Sequence, residues 1–217
     1  MTRGFAALLF GLIATGAARP LAAADQLVDF QPGGYVHVDH SYGYLTVEGW
    51  DEPKVEVTVT GPSGGAGPVQ VVAKRLSDKE LAVTITPARR GFPLSIFSSP
   101  PFHRTAPLEC TVHVPRDSRV AIHHDFGYVW VSDVSGDVEV DSHTGDMVVM
   151  LPDLGPYSID AKTGLGSISS DLTGHGNKRI LVGSHFVHAA QAPARRIFLR
   201  MGRGSIAIKN GPPSGPS

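Results

Sequence analysis

The sequence predicts an all-β fold, a β-solenoid-like stack of short strand rungs, on two observations. First, apolar and polar residues alternate with a period of two in short runs from end to end of the chain, and Gly, Asp and Pro separate the runs. Examples are YVHV, VEVTV, LAVTI and YVWV. Second, glycines recur at regular intervals from Gly127 onwards, so that strand and turn form a repeat.

Alternate glycines define a longer repeat unit, since Gly127, Gly145 and Gly164 are 18 and 19 residues apart. Copies of the unit are AIHHDFGYVWV, VEVDSHTGDMVV, SIDAKTGLGSIS and RIFLRMGRGSIAI, with VHVDHSYGYLTV as an earlier copy. A unit this short cannot bury its own apolar face, and stacking on its neighbours solves that problem. In the last two copies a second glycine, Gly166 or Gly204, follows the first, which predicts a two-residue insertion at the turn.

The alternation also predicts which side chains face the core, because successive residues of a strand point to opposite faces. The inward set of aliphatic residues is Val36, Val38, Leu45, Val47, Val120, Ile122, Val129, Val131, Val138, Val140, Met147, Val149, Ile159, Ile168, Ile197, Leu199, Ile206 and Ile208.

Two local features fit the all-β prediction. The segment VVAKRLSDKELAV has the best helical pattern of the chain, but it is better interpreted as a hairpin that turns at Ser77 to Glu80. The lone cysteine, Cys110, is an even number of residues away from the apolar residues around it in LECTVHV, so it points to the same face of the strand as they do (it has the same parity). We therefore expect it to be buried in a strand, with no disulfide partner in the chain.

The organisation of the chain begins with a predicted signal peptide over residues 1–24. It combines Arg3, an apolar run from Phe5 to Ile13 and an Ala-Ala-Ala cleavage motif. The apolar run is shorter than the roughly 20 residues of a transmembrane helix, and no later segment is longer. The repeat domain is predicted over residues 25–210, with a Pro-rich insertion at 87–107, and residues 211–217 form a short disordered tail. We expect the protein to be exported, to the periplasm or the outside of the cell.

The net charge gives no support to two classes of partner. Lys and Arg number 19 against 20 for Asp and Glu, so the balance favours neither nucleic acid nor an acidic membrane surface.

The segment GYLTVEGWDEPKVEVTVT (Gly43 to Thr60), followed by repeats such as VSGDVEVDSHTGDMVV, resembles the bacterial "putative adhesin" family of β-strand-repeat envelope proteins. The resemblance spans about Val36 to Asn210. It implies a β-solenoid-like fold and an extracytoplasmic location. The family has no defined biochemical role, so the resemblance assigns no functional residue.

The candidate binding residues are aromatic. By parity Tyr44, Tyr128 and Trp130 point outward, and clustered apolar groups that face water often mark a contact surface. Amphipathic rings of this kind suit a glycan or a protein partner. The Pro-rich insertion carries apolar residues of its own, so it could instead cover these rings as a lid.

An enzymatic alternative starts from an outward column four residues before the first glycine of each unit: Asp39, His123, Asp141, Asp160 and Phe198. Carboxylates on neighbouring rungs could serve a carbohydrate-active β-helix enzyme. Acidic residues at strand ends also simply keep a surface hydrated, and nothing in the sequence sets one carboxylate's acidity apart from another's.

Histidines near the turns raise the question of a metal, since His40, His124 and His143 all have an aspartate nearby in sequence. No fixed ligand spacing joins them. The sequence therefore predicts no metal, no cofactor and no catalytic residue. It favours a non-catalytic, adhesin-like envelope or interaction module whose partner is a glycan or an envelope protein.

Overall fold

The computed structural model describes residues 26–60, 69–87, 108–153, 155–172, 175–178, 183–190 and 195–211. The predicted signal peptide, residues 88–107 of the Pro-rich insertion and residues 212–217 of the predicted tail lie outside these ranges.

In the described ranges thirteen strands form one mixed sheet, and these ranges contain no helix. The strands are β1 (Gln26–Asp29), β2 (Tyr35–Trp50), β3 (Lys54–Thr60), β4 (Val69–Ser77), β5 (Glu80–Pro87), β6 (Glu109–Pro115), β7 (Arg119–Ser132), β8 (Val138–Leu151), β9 (Tyr157–Leu165), β10 (Ile168–Ser170), β11 (His175–Lys178), β12 (Ser184–His188) and β13 (Arg195–Asn210). The all-β prediction is confirmed. The solenoid-like stack predicted with it stays a prediction.

The centre of the sheet consists of parallel neighbours in the order β2, β7, β8, β13 and β9. Strand β13 therefore lies between β8 and β9, out of chain order. On one side β6 pairs with β2 in parallel, and β3 and β1 follow antiparallel. On the other side β12 and β11 continue antiparallel from β9.

Aligned glycines divide each long central strand into a first and a second arm. Gly43 pairs with Gly127, Gly127 with Gly145, and Gly145 with Gly204. At Gly127 the backbone has φ of 135°, and an added Cβ would lie 2.0 Å from the carbonyl oxygen of Gly43. Both the positive φ and the close approach of neighbouring backbones require glycine at this position.

The phase of the buried positions changes at these glycines. In β7 the buried residues of the first arm have even numbers, as in Val120 and Ile122, and those of the second arm odd numbers, as in Val129 and Val131. The predicted inward set is confirmed as core, with Ile168 only partly buried at its edge. The side of the sheet that carries this core is called the inner face below, and the opposite side the outer face.

The two-residue insertion predicted at the last two turns is wrong. Strand β13 keeps a continuous register with β8, which has a single glycine at this point, and Gly204 pairs with Gly145 without an inserted residue. The second glycine of each pair, Gly204 or Gly166, has the positive φ that is also found at the aligned glycines of the other strands. In both units the residues before the second glycine are therefore aligned with residues of the other rungs two positions earlier than the repeat alignment predicted.

The hairpin and the cysteine agree with the predictions. Strands β4 and β5 pair antiparallel, and Ser77 faces Glu80 at the turn. Cys110 is buried in β6, and burial raises the pKa of its thiol to about 12, so the thiol is inert at neutral pH. No helix that could cross a membrane occurs in the described ranges.

Candidate functional site

The three predicted aromatic residues lie together on the outer face of the second arms. Tyr44 is on β2, and Tyr128 and Trp130 are on the neighbouring strand β7. Their side chains point outward because the residues next to them, Leu45 and Val129, are fully buried on the inner face.

The rings are in contact range of one another. Tyr44 and Tyr128 are register partners with ring centroids 6.1 Å apart, and Tyr128 lies 6.5 Å from Trp130 along the same strand. Tyr44 is 45% exposed, and the other two rings are partly exposed. We call Tyr44, Tyr128 and Trp130 the aromatic patch.

A second aromatic pair was missed by the sequence reasoning. Tyr42 and Phe126 directly precede aligned glycines, and their rings stack at 6.2 Å. Phe126 is 53% exposed. The signal that could have identified the pair is its position, since both residues stand one place before a repeat glycine.

Carboxylates flank the aromatic patch within the same row of the sheet. Glu109 on β6 pairs with Tyr44, and Asp146 on β8 pairs with Tyr128. Partial burial and the nearby charge of Asp146 raise the pKa of the Tyr128 phenol, so this phenol stays protonated at neutral pH. Asp146 is fixed by Ser205, whose backbone N–H donates to its Oδ1 at 3.1 Å and whose hydroxyl also donates to it.

The predicted outward column is only partly formed. Asp39, His123 and Asp141 are aligned across β2, β7 and β8. The next residue in this row is Arg200 rather than Phe198, because β13 and β9 follow the register of their second glycines.

Asp160 instead lies one row away, and it is already engaged. Its carboxylate accepts hydrogen bonds from Arg200 at 3.1 Å and pairs with His185 at 2.9 Å. The hydrogen bond from Arg200 is the main cause that lowers the pKa of Asp160. Asp160 is therefore an ionised structural carboxylate, which is unsuited to general-acid catalysis.

A pocket of about 410 Å³ opens beside Asp160 on the outer face of the first arms. Its lining includes Arg119, Glu139, Arg196 and Phe198. Its carboxylates are Asp137, Glu139 and Asp160, and the last two stand on either side of Phe198 in one row. Charges of both signs line this space, and it is separate from the aromatic patch.

The histidines considered as metal ligands are divided between the two faces. His40 and His124 are buried on the inner face, whereas His143 is exposed on the outer face. The aspartates next to them in sequence, Asp39, Asp125 and Asp141, are exposed. Within the part of the chain that the structure describes, no three His, Cys, Asp or Glu side chains are grouped so that they could hold a metal ion.

No protein-family model and no curated protein sequence matches the chain. Among solved structures, it is similar to a "putative cell adhesion protein" of Clostridium sporogenes ATCC 15579, with 14% identity and a TM-score of 0.48 over 87% of this chain and 100% of the other. It is also similar to a "putative adhesin" of Bacteroides fragilis NCTC 9343, with 12% identity and a TM-score of 0.30 over 90% of this chain and 100% of the other. Both TM-scores are below 0.5, so neither similarity carries an argument about function.

Proposed function

We propose that this chain is a non-catalytic, exported interaction module of the cell envelope, adhesin-like in its role, which contacts a glycan or an envelope protein through the aromatic patch. The strand rungs form a β-solenoid-like scaffold that holds the patch rigid.

One observation carries the proposal: Tyr44, Tyr128 and Trp130 come from two strands and meet on one outward surface, with centroid distances of 6.1 and 6.5 Å. Large aromatic rings that face water lose free energy when a partner covers them, because their apolar surface is then removed from water. Tyr and Trp also carry a polar group that can hydrogen-bond to the partner, which is why they are enriched at interfaces.

The scaffold supports rigid presentation of these rings. Leu45 and Val129, which flank the tyrosines in sequence, are 0% exposed and anchor both strands in the core. A partner would therefore meet rings whose backbone is already ordered, and little conformational entropy would be lost on binding.

The non-catalytic part of the proposal is supported by the state of the carboxylates. A general acid needs a raised pKa, whereas the pKa of Asp160 is lowered by its contact with Arg200. Arg200 also occupies the row of Asp39 and Asp141, where the enzymatic alternative required a further acid.

The test is retention of the purified protein on cell-envelope fragments from the organism that produces it. Tyr44→Ala combined with Tyr128→Ala should reduce retention, because the binding free energy should weaken by at least ~2 kcal/mol, the usual loss when aromatic anchors of an interface are removed. Phe198→Ala is the matched control, since Phe198 is an exposed ring of the same outer face in the other arm, 38% accessible. Equal retention of the double variant and the wild type would refute the proposed contact surface.

Export has a separate test. Cell fractionation should find the protein outside the cytoplasm with a mature N-terminus at Asp25. A cytoplasmic protein that keeps its first 24 residues would contradict this part of the proposal.

A further inference from the structure

We infer that the aromatic patch binds an oligosaccharide without acidic groups, which lies across the strands with sugar rings on Tyr44 and Tyr128 and hydroxyl groups toward Glu109 and Asp146. This inference rests on the proposed function and specifies the ligand class of the same site.

The arrangement that carries the inference is a row of four side chains on four neighbouring strands. The register gives the order Glu109, Tyr44, Tyr128 and Asp146 across β6, β2, β7 and β8. Neighbouring strands are about 4.8 Å apart, so three spacings give the row a length of about 14 Å. A surface of this length fits an oligosaccharide better than a single sugar.

The two tyrosine rings are tilted by 52° to each other, so each offers its own apolar surface to one of two consecutive sugars. Their centroids are 6.1 Å apart, which is comparable with the length of one pyranose residue in a chain. The face of a pyranose ring presents C–H groups, and these pack on the face of an aromatic ring. Trp130, in the next row and 6.5 Å from Tyr128, widens the apolar floor.

The carboxylates at the two ends of the row determine the polarity of the ligand. Sugar hydroxyls donate hydrogen bonds, and an ionised carboxylate accepts strong ones. Asp146 is oriented for this role, because the backbone N–H of Ser205 holds one of its oxygens at 3.1 Å. Glu109 is exposed at the opposite end of the row.

The same carboxylates disfavour an acidic glycan. The adjacent row on the outer face contains Thr111, Thr46, Trp130 and Val148, which are all uncharged. These two described rows contain no Lys or Arg on β6, β2, β7 and β8, and the exposed Arg203 of the next strand, β13, pairs with Thr144, on the side of Asp146 that is away from the tyrosines. A uronic acid placed between them would meet like charges, which is a repulsive arrangement against the wrong ligand.

The experiment is calorimetric titration of the purified mature protein, which starts at Asp25, with three glycan series, each from monosaccharide to hexasaccharide. The series are β-1,4-linked gluco-oligosaccharides, chito-oligosaccharides and oligogalacturonides. The neutral series should bind with affinity that increases with length, and the acidic series should bind at least about tenfold more weakly.

Variants separate stacking from charge selection. Tyr128→Ala should weaken neutral binding by about tenfold or more, and Phe198→Ala should leave it unchanged. Glu109→Gln combined with Asp146→Asn should reduce the discrimination against oligogalacturonides, since it removes both charges and keeps the rings. Thermal melts of each variant should show that the fold is intact.

Three outcomes would overturn the inference: no binding by either neutral series, acidic glycans that bind as tightly as neutral ones, or a Phe198→Ala variant as impaired as Tyr128→Ala. If oligosaccharides fail to bind while retention on envelope fragments still depends on Tyr44 and Tyr128, only the ligand class is wrong. If retention does not depend on these two residues either, the proposed function fails as well.

Discussion

His40 and His124 lie side by side on the inner face of β2 and β7, with ring centroids 5.1 Å apart and exposures of 2% and 0%. The two ring nitrogens of His40 are buried and have no hydrogen-bond partner among the residues that the structure describes. His124 contacts the carbonyl oxygen of Gly43 at 3.3 Å and the hydroxyl of Ser142 at 3.5 Å. Burial, followed by the neighbouring His124, lowers the pKa of His40 to about 3, and burial also lowers the pKa of His124.

We therefore predict that acid destabilises the fold through this pair. In the folded protein the pKa of His40 is about 3 and the pKa of His124 is also lowered, whereas in the unfolded chain both rings take up protons near pH 6.5. The unfolded state then binds more protons, so the free energy of unfolding decreases as the pH falls from about 6.5 toward 3. For His40 the loss should approach about 1.4 kcal/mol for each pH unit in this range, and His124 adds to it in the same direction.

Urea denaturation at pH 7.5 and pH 5 measures this effect. His40→Leu should flatten the pH dependence and cost little at pH 7.5, because it also removes two buried nitrogens that have no partner within the described ranges. His143→Leu is the control, since His143 is exposed on the next strand but one. An unchanged pH slope in His40→Leu would show that the acid sensitivity has another origin.

A second prediction concerns the core. Val129→Asp places a carboxylate at a position with 0% exposure, which should cost several kcal/mol and unfold the domain or drastically lower its melting temperature. Val148→Asp makes the same chemical change on the outer face of β8 and should be far milder. Circular dichroism melts of the two variants provide the comparison, and equal stability would refute the assignment of faces.

The glycine ladder gives a third prediction. Gly127→Ala should destabilise severely, because the new methyl group would lie 2.0 Å from the backbone oxygen of Gly43 at a φ of 135°. Gly33→Ala is the matched control, since Gly33 also has a positive φ, 72°, but an added Cβ meets only a side-chain oxygen at 3.7 Å. The control should cost about 1 kcal/mol, the usual penalty for alanine in the left-handed region. Equal losses in the two variants would mean that close backbone packing contributes nothing.

A fourth prediction separates interaction from catalysis. The purified protein should release no reducing sugar from neutral or acidic polysaccharides, because His123 stands between Asp39 and Asp141 and because Arg200 and His185 hold Asp160. Polysaccharide turnover that disappears in Asp141→Asn would establish the enzymatic alternative.

The face of the sheet on which each side chain lies could be predicted from the sequence, because the alternation of side chains between faces is a property of each single strand. Val36, Val129 and Ile208 are all buried as expected, and Cys110 follows the same parity on β6. Parity also predicted that Tyr44 and Trp130 would be outward. These features depend only on the alternation of residues between the two faces of a strand.

The alignment between strands was harder to predict, because it depends on contacts made only in the folded sheet. Two glycines in each late unit offered two alignments, and the glycine with positive φ, such as Gly204 at 136°, determines the observed one. Asp160 was misplaced for this reason. The position of β13 between β8 and β9 likewise has no local signal, since every rung carries similar aliphatic residues.

The most direct test of the central claim is the fluorescence of Trp130 during titration with a ligand of the aromatic patch. A Trp50→Phe background isolates the signal, and phenylalanine keeps an aromatic ring opposite His113, on which Trp50 stacks at 5.0 Å. We predict a saturable change in Trp130 emission with neutral oligosaccharide or envelope fragments, and a much weaker response in Tyr128→Ala. An unchanged Trp130 spectrum at concentrations where the protein is retained on envelope fragments would contradict the account, because binding would then occur away from the aromatic patch.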